Sequence, residues 1–148
     1  CWGEAEKGQV GQEKGSDDRI PPTLSITIGT NRTATAITAG DAHTCAILDN
    51  SSIKCWGLND SGQLGQGNTI NLGDNANEIN PSSKIVDLGA GRTVGGIAAG
   101  DDYTCAVLDN ASIKCWGGNA FGQLGLGDDS TRGDESGEMG DSLPVIGL

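Results

Sequence analysis

Aromatic side chains are scarce in this chain: three Trp, one Tyr and one Phe in 148 residues. A bulky aromatic core is therefore not expected, and 25 Gly point to many turns and close backbone contacts. Histidine occurs once, at His43, and the copy of that position sixty residues on is Tyr103. General-base chemistry does not tolerate that exchange, so packing or a turn hydrogen bond is the expected role, and no Ser-His-Asp set assembles around it. Basic residues number 9 against 20 acidic ones, for a net charge of −11. Such a surface repels phosphate backbones, so nucleic acid is not an expected partner. Nothing approaches the roughly 18 consecutive apolar residues of a membrane helix, so membrane insertion is not expected either. The glycine-rich stretches at Gly89–Gly91 and Gly122–Gly127 precede no helix, which argues against a phosphate cradle. No cofactor and no catalytic mechanism are expected.

What the chain does contain is a repeat. GDAHTCAILDNSSIKCWGLNDSGQLG begins at Gly40 and GDDYTCAVLDNASIKCWGGNAFGQLG at Gly100, while a weaker copy, CWGEAEKGQVG, opens the chain. Repetition of this kind signals an array of stacked units. Short strand-like runs between Gly, Asn, Asp and Pro clusters fall at 24–28, 34–39, 43–48 and 52–56, and again at 84–88, 94–99, 103–108 and 112–116. Residues 1–3 match the last strand of a unit and 143–148 the first. Four antiparallel strands per unit, with small residues on the inner strands, fit an all-β fold of β-propeller blades, with a solenoid of stacked sheets as the competing geometry. The expected division is 1–20 for the end of a preceding blade and linker, 21–57 for a first blade and 58–82 for a connecting loop. A second blade follows at 83–117, and 118–148 supplies a loop and the first strand of the next. Propellers have about 4–8 blades. The chain therefore reads as an excerpt of a longer array, and the expected partners are protein: neighbouring propeller repeats or identical subunits. Loops 68–81 and 128–141 occupy the same place in successive units and are expected to emerge on one side as a contact face.

Five cysteines stand at Cys1, Cys45, Cys55, Cys105 and Cys115, and both full units show C-x9-C. If each intervening segment is a hairpin with Asp-Asn at its tip, Cys45 lies opposite Cys55 and Cys105 opposite Cys115. Opposed Cβ atoms sit about 4.5–5.5 Å apart, near disulfide reach. Paired cysteines of this kind imply an oxidising compartment, hence an extracellular or cell-surface location; buried thiols in a cytosolic protein are the alternative. Zinc is disfavoured by the spacing and by the single His. Cys1 matches Cys55 and Cys115, and its partner would lie ten residues upstream.

Trp2, Trp56 and Trp116 recur at one position, which suits packing between blades better than a sugar platform. Four Asn-x-Ser/Thr sequons, at Asn31, Asn50, Asn59 and Asn110, are candidate glycosylation sites; the alternative is Asn tolerating a left-handed turn. Asp128, Asp129, Asp134, Glu135, Glu138 and Asp141 offer hard oxygen ligands for interaction or calcium, although Arg132 falls where an EF-hand would need a ligand before Gly133. Arg132-Gly133-Asp134 also spells an adhesion tripeptide, here read as coincidence.

The unit, from AGDAHTCAILDNSSIKCWGLNDSGQLGQG to AGDDYTCAVLDNASIKCWGGNAFGQLGLG, resembles the repeat of the regulator of chromosome condensation family. The resemblance implies a seven-bladed propeller and covers nearly the whole chain. The cysteine-bearing version is similar to the secreted and surface-exposed branch. Members include exchange factors, secreted inhibitors and structural propellers, so the fold does not settle function. Glycines of the family's hairpin turn are replaced by Ser51 and Ala111, and Asn50 or Asn110 is expected to take the positive φ instead. The expected function is a non-catalytic extracellular scaffold, with assembly into a surface array or filament as its extension. The alternatives are a secreted propeller that binds or inhibits one protein and an intracellular guanine-nucleotide exchange factor.

Overall fold

Short apolar runs broken by Asp-Asn tips and glycine turns dictate hairpins, and each full unit folds as a pair of them. The computed structural model describes residues 1–12, 19–20, 25–80 and 82–147. Its strands are β1 (Gly3–Glu4), β2 (Arg19–Ile20), β3 (Ala34–Ala39), β4 (His43–Leu48), β5 (Ile53–Gly57), β6 (Val94–Ala99), β7 (Tyr103–Leu108) and β8 (Ile113–Gly117). The only helical turn among the described residues is the 3-10 turn Gly140–Ser142. β3-β4-β5 and β6-β7-β8 form two antiparallel three-stranded sheets, and β1 pairs with β2. Both large sheets share one register and one irregularity, between Ala34 and Ala36 in the first and between Val94 and Gly96 in the second.

The expected opening strands differ from this picture. Leu24, Pro81 and Leu148, at the limits of expected segments, lie outside the described residues. Residues 84–88 do show the period-two burial of a strand, with Val86 and Leu88 inside and Ile85 and Asp87 outside. Yet the backbone bond that ties them to a strand is Val86 N–H to the Ile53 carbonyl at 2.9 Å, and Ile146 repeats it on Ile113 at 2.9 Å. Each segment thus bonds by its backbone to the outer strand of the sheet before it and is not a strand of the sheet after it.

The core lies between the two sheets, where Ile47, Ile53, Leu64, Val94, Leu108 and Trp116 are buried together. The inner strands can approach because they are built from small residues, ATAITA in β3 and VGGIAA in β6. Thr38 Oγ1 accepts the Ala99 amide at 3.1 Å across the gap. A Cβ on Gly40 would strike the Gly100 carbonyl and the His43 ring, so glycine is required by close approach there.

Two lysines are buried on the outer strands. Lys114 Nζ donates to the carbonyls of Leu88 at 3.0 Å and Gly140 at 2.7 Å. Lys54 Nζ donates to the Asn80 carbonyl at 3.1 Å and Ser83 Oγ at 3.0 Å. Burial pushes both pKa values down, opposed at Lys114 by the carboxylates of Asp141 and Asp87. These ammonium groups fasten the end of each long loop to its sheet.

The hairpin tips correct one expectation. The left-handed residue is Ser51 (φ 61) in β4–β5 and Ala111 (φ 64) in β7–β8, not the preceding asparagine. Asn50 and Asn110 instead turn their side-chain oxygens back onto Ser52 and Ser112. A non-glycine residue pays about 1–2 kcal/mol for this backbone, and glycine loses roughly 0.5–1 kcal/mol of chain entropy. Ser51→Gly and Ala111→Gly are each expected to raise stability by about 0.5–1 kcal/mol. The denaturation midpoint in urea checks this, and an unchanged or lowered midpoint contradicts it.

Candidate functional site

Both long loops leave their sheets at one end and are built on the same frame. Leu72 bridges to Gly57 and Arg132 to Gly117, each by a pair of backbone hydrogen bonds. Inside the first loop Asn59 donates to the carbonyls of Asn68 at 2.7 Å and Ile70 at 3.1 Å, while its oxygen accepts the Leu64 amide at 2.9 Å. Asn119 repeats this on Asp128, Ser130 and Leu124. Glu78 accepts the amides of Gly73 and Asn75 at 2.7 and 3.1 Å; Glu138 accepts those of Gly133 and Glu135 at 2.8 and 3.1 Å. Burial works against ionisation of Glu78, but the donors at Gly73 and Asn75 outweigh it and hold its carboxyl below the ordinary value. Burial, with Glu78 or Glu138 alongside, pushes Asp74 and Asp134 up.

These contacts redirect the acidic loop away from a calcium site. Asp128 accepts the Ser130 amide and the Asn119 amide nitrogen, and pairs with Arg132 at 2.8 Å. Asp141 accepts the Ala90 amide at 3.1 Å. Asp128, Glu138 and Asp141 thus satisfy the fold's own donors, and Asp134 lies beside Glu138. Among the described residues no group of three or more His, Cys, Asp or Glu is arranged to hold a metal ion. Arg132 also donates to the Ser130 and Thr131 carbonyls, so the adhesion tripeptide is not displayed. Asp129 and Glu135 remain exposed.

The frame repeats, whereas the residues it exposes do not. Ile70, Asn75 and Ala76 in the first loop become Ser130, Glu135 and Ser136 in the second. Among the sequons, Asn59 is corrected by the same frame: it is fully buried and its amide nitrogen is committed to the loop, so it is no glycan acceptor in the fold. Asn31, Asn50 and Asn110 are exposed.

A second set of residues joins one unit to the next. The Trp56 indole N–H donates to the Gln9 carbonyl at 3.0 Å, and Trp116 to the Gln63 carbonyl at 3.0 Å. The same carbonyls accept the hydroxyls of Thr44 and Thr104, at 2.8 and 3.0 Å. Each Gln side chain meanwhile caps its own turn by accepting the amide two residues back. The next loop then seats on the turn: a Cβ on Gly62 would collide with the backbone of Gly133 and Asp134, as one on Gly8 would with Gly73 and Asp74. Trp56 and Trp116 are buried, but Trp2 is 71% exposed. Gln9, Gln63, Thr44 and Thr104 were not singled out from the sequence, although their recurrence in register was a usable signal.

Cys45 and Cys55 are directly paired across β4–β5 and form a disulfide, as do Cys105 and Cys115 across β7–β8. Cys1 is an exposed thiol. His43 lies at the inter-sheet joint, with Nε2 2.9 Å from Thr104 Oγ1. Because that hydroxyl donates to Gln63, Nε2 must carry the proton, leaving Nδ1 buried as an acceptor without a partner of good geometry. Burial lowers the His43 pKa, opposed by the Asp102 carboxylate and the Asp101 backbone. The unfolded state then binds more protons than the folded one from the ordinary value of 6.5 down to the folded pKa, so stability falls as pH drops through that window. His43→Gln, which keeps a donor for Thr104, is expected to flatten the dependence of Tm on pH just below neutrality; an unchanged slope contradicts this.

Two family models, both described as Regulator of chromosome condensation (RCC1) repeat, match this chain, one at residues 34–63 and 96–123 and the other at 55–107. The chain is 30% identical over 131 residues to the ultraviolet-B receptor UVR8 of Arabidopsis thaliana, covering 88% of this chain and 28% of that one. It is 32% identical over 129 residues to the E3 ubiquitin-protein ligase HERC2 of Homo sapiens, covering 85% and 2%. Among solved structures, human WBSCR16 matches with a TM-score of 0.69 at 20% identity, over 99% of this chain and 35% of that one. Prp20p of Saccharomyces cerevisiae, whose structure is described with its binding properties to Gsp1p and histones, matches with a TM-score of 0.68 at 18% identity, over 89% and 32%. The chain therefore spans a third or less of most of these relatives, and the structural likenesses show the fold.

Proposed function

Because the chain belongs to the Regulator of chromosome condensation (RCC1) repeat family and folds as its β-propeller blades, we propose that it contributes to an extracellular, disulfide-braced propeller acting as a non-catalytic protein-binding scaffold. The observation that carries the binding role is the loop pair. One hydrogen-bonded frame, set by Asn59 or Asn119 and Glu78 or Glu138, is built twice and presents different exposed residues each time. A scaffold that holds variable positions on invariant supports suits recognition of a protein surface. The solved relative Prp20p carries Gsp1p and histones in its description, which makes protein the partner class to expect for such a fold. The extracellular location is supported by two disulfides at equivalent register in consecutive hairpins.

Partners of the same kind as the chain itself are part of this reading. By the repeat, Trp2 is the copy of Trp116 and the turn Gly122–Gly125 the copy of Gly62–Gly65. Trp116 and the turn Gly62–Gly65 make the joint between units internally, so their copies suit a neighbouring repeat unit, in the same chain or in an array. The test of the scaffold is a comparison of capture from the source's extracellular fraction by the native chain and by a variant with Ile70, Asp129 and Glu135 replaced by Ala. Loss of the captured protein with an unchanged Tm is the expected result, and equal capture overturns the loop face as the contact. A non-reducing peptide map of native material tests the location: free thiols at Cys45, Cys55, Cys105 and Cys115 would replace this reading with the intracellular exchange factor.

A further inference from the structure

The fold treats the four sequon asparagines differently. Asn59 is buried, and its copy Asn119 does the same structural work without a sequon, so the motif at Asn59 is incidental. Asn31 is exposed with φ 55, and its copy is Gly91 with φ 69, so a left-handed backbone accounts for Asn there. Neither explanation reaches Asn50 and Asn110. Both lack the positive φ, which falls on the next residue, and both sit exposed at equivalent hairpin tips. In both, the side-chain oxygen accepts the sequon serine: Ser52 through its amide at 3.3 Å and its hydroxyl at 2.7 Å, and Ser112 at 3.2 and 2.7 Å. Among the described residues neither amide nitrogen Nδ2 makes a hydrogen bond.

We infer that Asn50 and Asn110 are paired N-glycan acceptors, and that the end of the sheets they occupy is the glycan-covered one. The transfer forms a bond from Asn Nδ2 to C1 of an oligosaccharide and breaks the C1–oxygen bond to a lipid-linked diphosphate. The diphosphate leaves with the bonding electrons, the amide loses one proton, and nothing is oxidised or reduced. The tips lie at the start of β5 and β8, whereas the long loops bridge to Gly57 and Gly117 at their ends. Glycans at the tips therefore leave the loop face clear for a protein partner. In native material this rests on the extracellular reading above.

The chain is secreted from cultured eukaryotic cells and treated with peptide N-glycosidase in heavy-oxygen water, which marks each occupied Asn as labelled Asp. Label at Asn50 and Asn110 in disulfide-bonded product is expected. Ser52→Ala and Ser112→Ala should each abolish one site while both disulfides still form. Bare Asn50 and Asn110 in the secreted, disulfide-bonded chain overturn the inference, as does a glycan on Asn59. The location reading fails by a different result, reduced cysteines in native material, which leaves the acceptor sites measured in secreted chain unaffected.

Discussion

Trp116→Ala is expected to destabilise the chain by about 3–5 kcal/mol, the range for removing a fully buried Trp. Trp116 is completely buried in the core between the two sheets, and its indole N–H reaches the Gln63 carbonyl of the preceding unit. Net stability of a domain is only about 5–15 kcal/mol, so this loss is a large fraction of the total. Two comparisons separate its causes. Trp116→Phe keeps most of the packing and removes the indole donor, and because Thr104 still donates to Gln63 the carbonyl is not orphaned; its cost should be about 1 kcal/mol plus a small cavity. Trp2→Ala removes the same residue type from an exposed position and should fall within about 0.5 kcal/mol of the native chain. Chemical denaturation of the three variants checks the order. Equal losses for Trp116→Ala and Trp2→Ala would show that the joint between units is not what holds the sheets together.

The contrast between these tryptophans also marks what the sequence made legible. β3, β4, β6 and β7 stand at the strand-like runs read between clusters of turn residues, and the register pairing Cys45 with Cys55 and Cys105 with Cys115 follows from the hairpin arithmetic. These features depend on side-chain type, which repeats visibly. The Gln63 carbonyl does not: a main-chain oxygen has no residue signature, so the acceptor shared by Trp116 and Thr104 could be suspected only from three residues recurring together. The same reasoning explains the calcium expectation. Six acidic residues in one loop look like a ligand set until their oxygens are traced, and Glu138 proves to be a loop support. Its copy Glu78 was the available clue, since a residue needed to build the unit recurs. Asp129 and Glu135, which have no acidic copies, are the ones left exposed. The hairpin tips failed for another reason. Asn is the better left-handed residue, yet the loop geometry puts the positive φ one position later, at Ser51 and Ala111, whatever side chain stands there.

Removing one disulfide, by Cys105→Ala with Cys115→Ala, is expected to cost about 3 kcal/mol from the lost loop constraint in the unfolded chain. The sequence separation is 10 for both bonds, so the entropic contributions should match. Access does differ. Cys45 and Cys55 are buried, and Cys45 Sγ lies 3.9 Å from Thr104 Oγ1, beneath the following sheet. Cys105, on β7, is only half-buried. Thiolate attack requires approach to a sulfur, so graded reductant should open Cys105–Cys115 well before Cys45–Cys55. Alkylation trapping with mass mapping of the labelled cysteines reads the order directly. In the Trp116→Ala variant the joint that covers Cys45 is loosened, and the two bonds should then open at similar rates. Simultaneous opening in the native chain would mean that the second sheet does not shield the first, and would count against the core described between them.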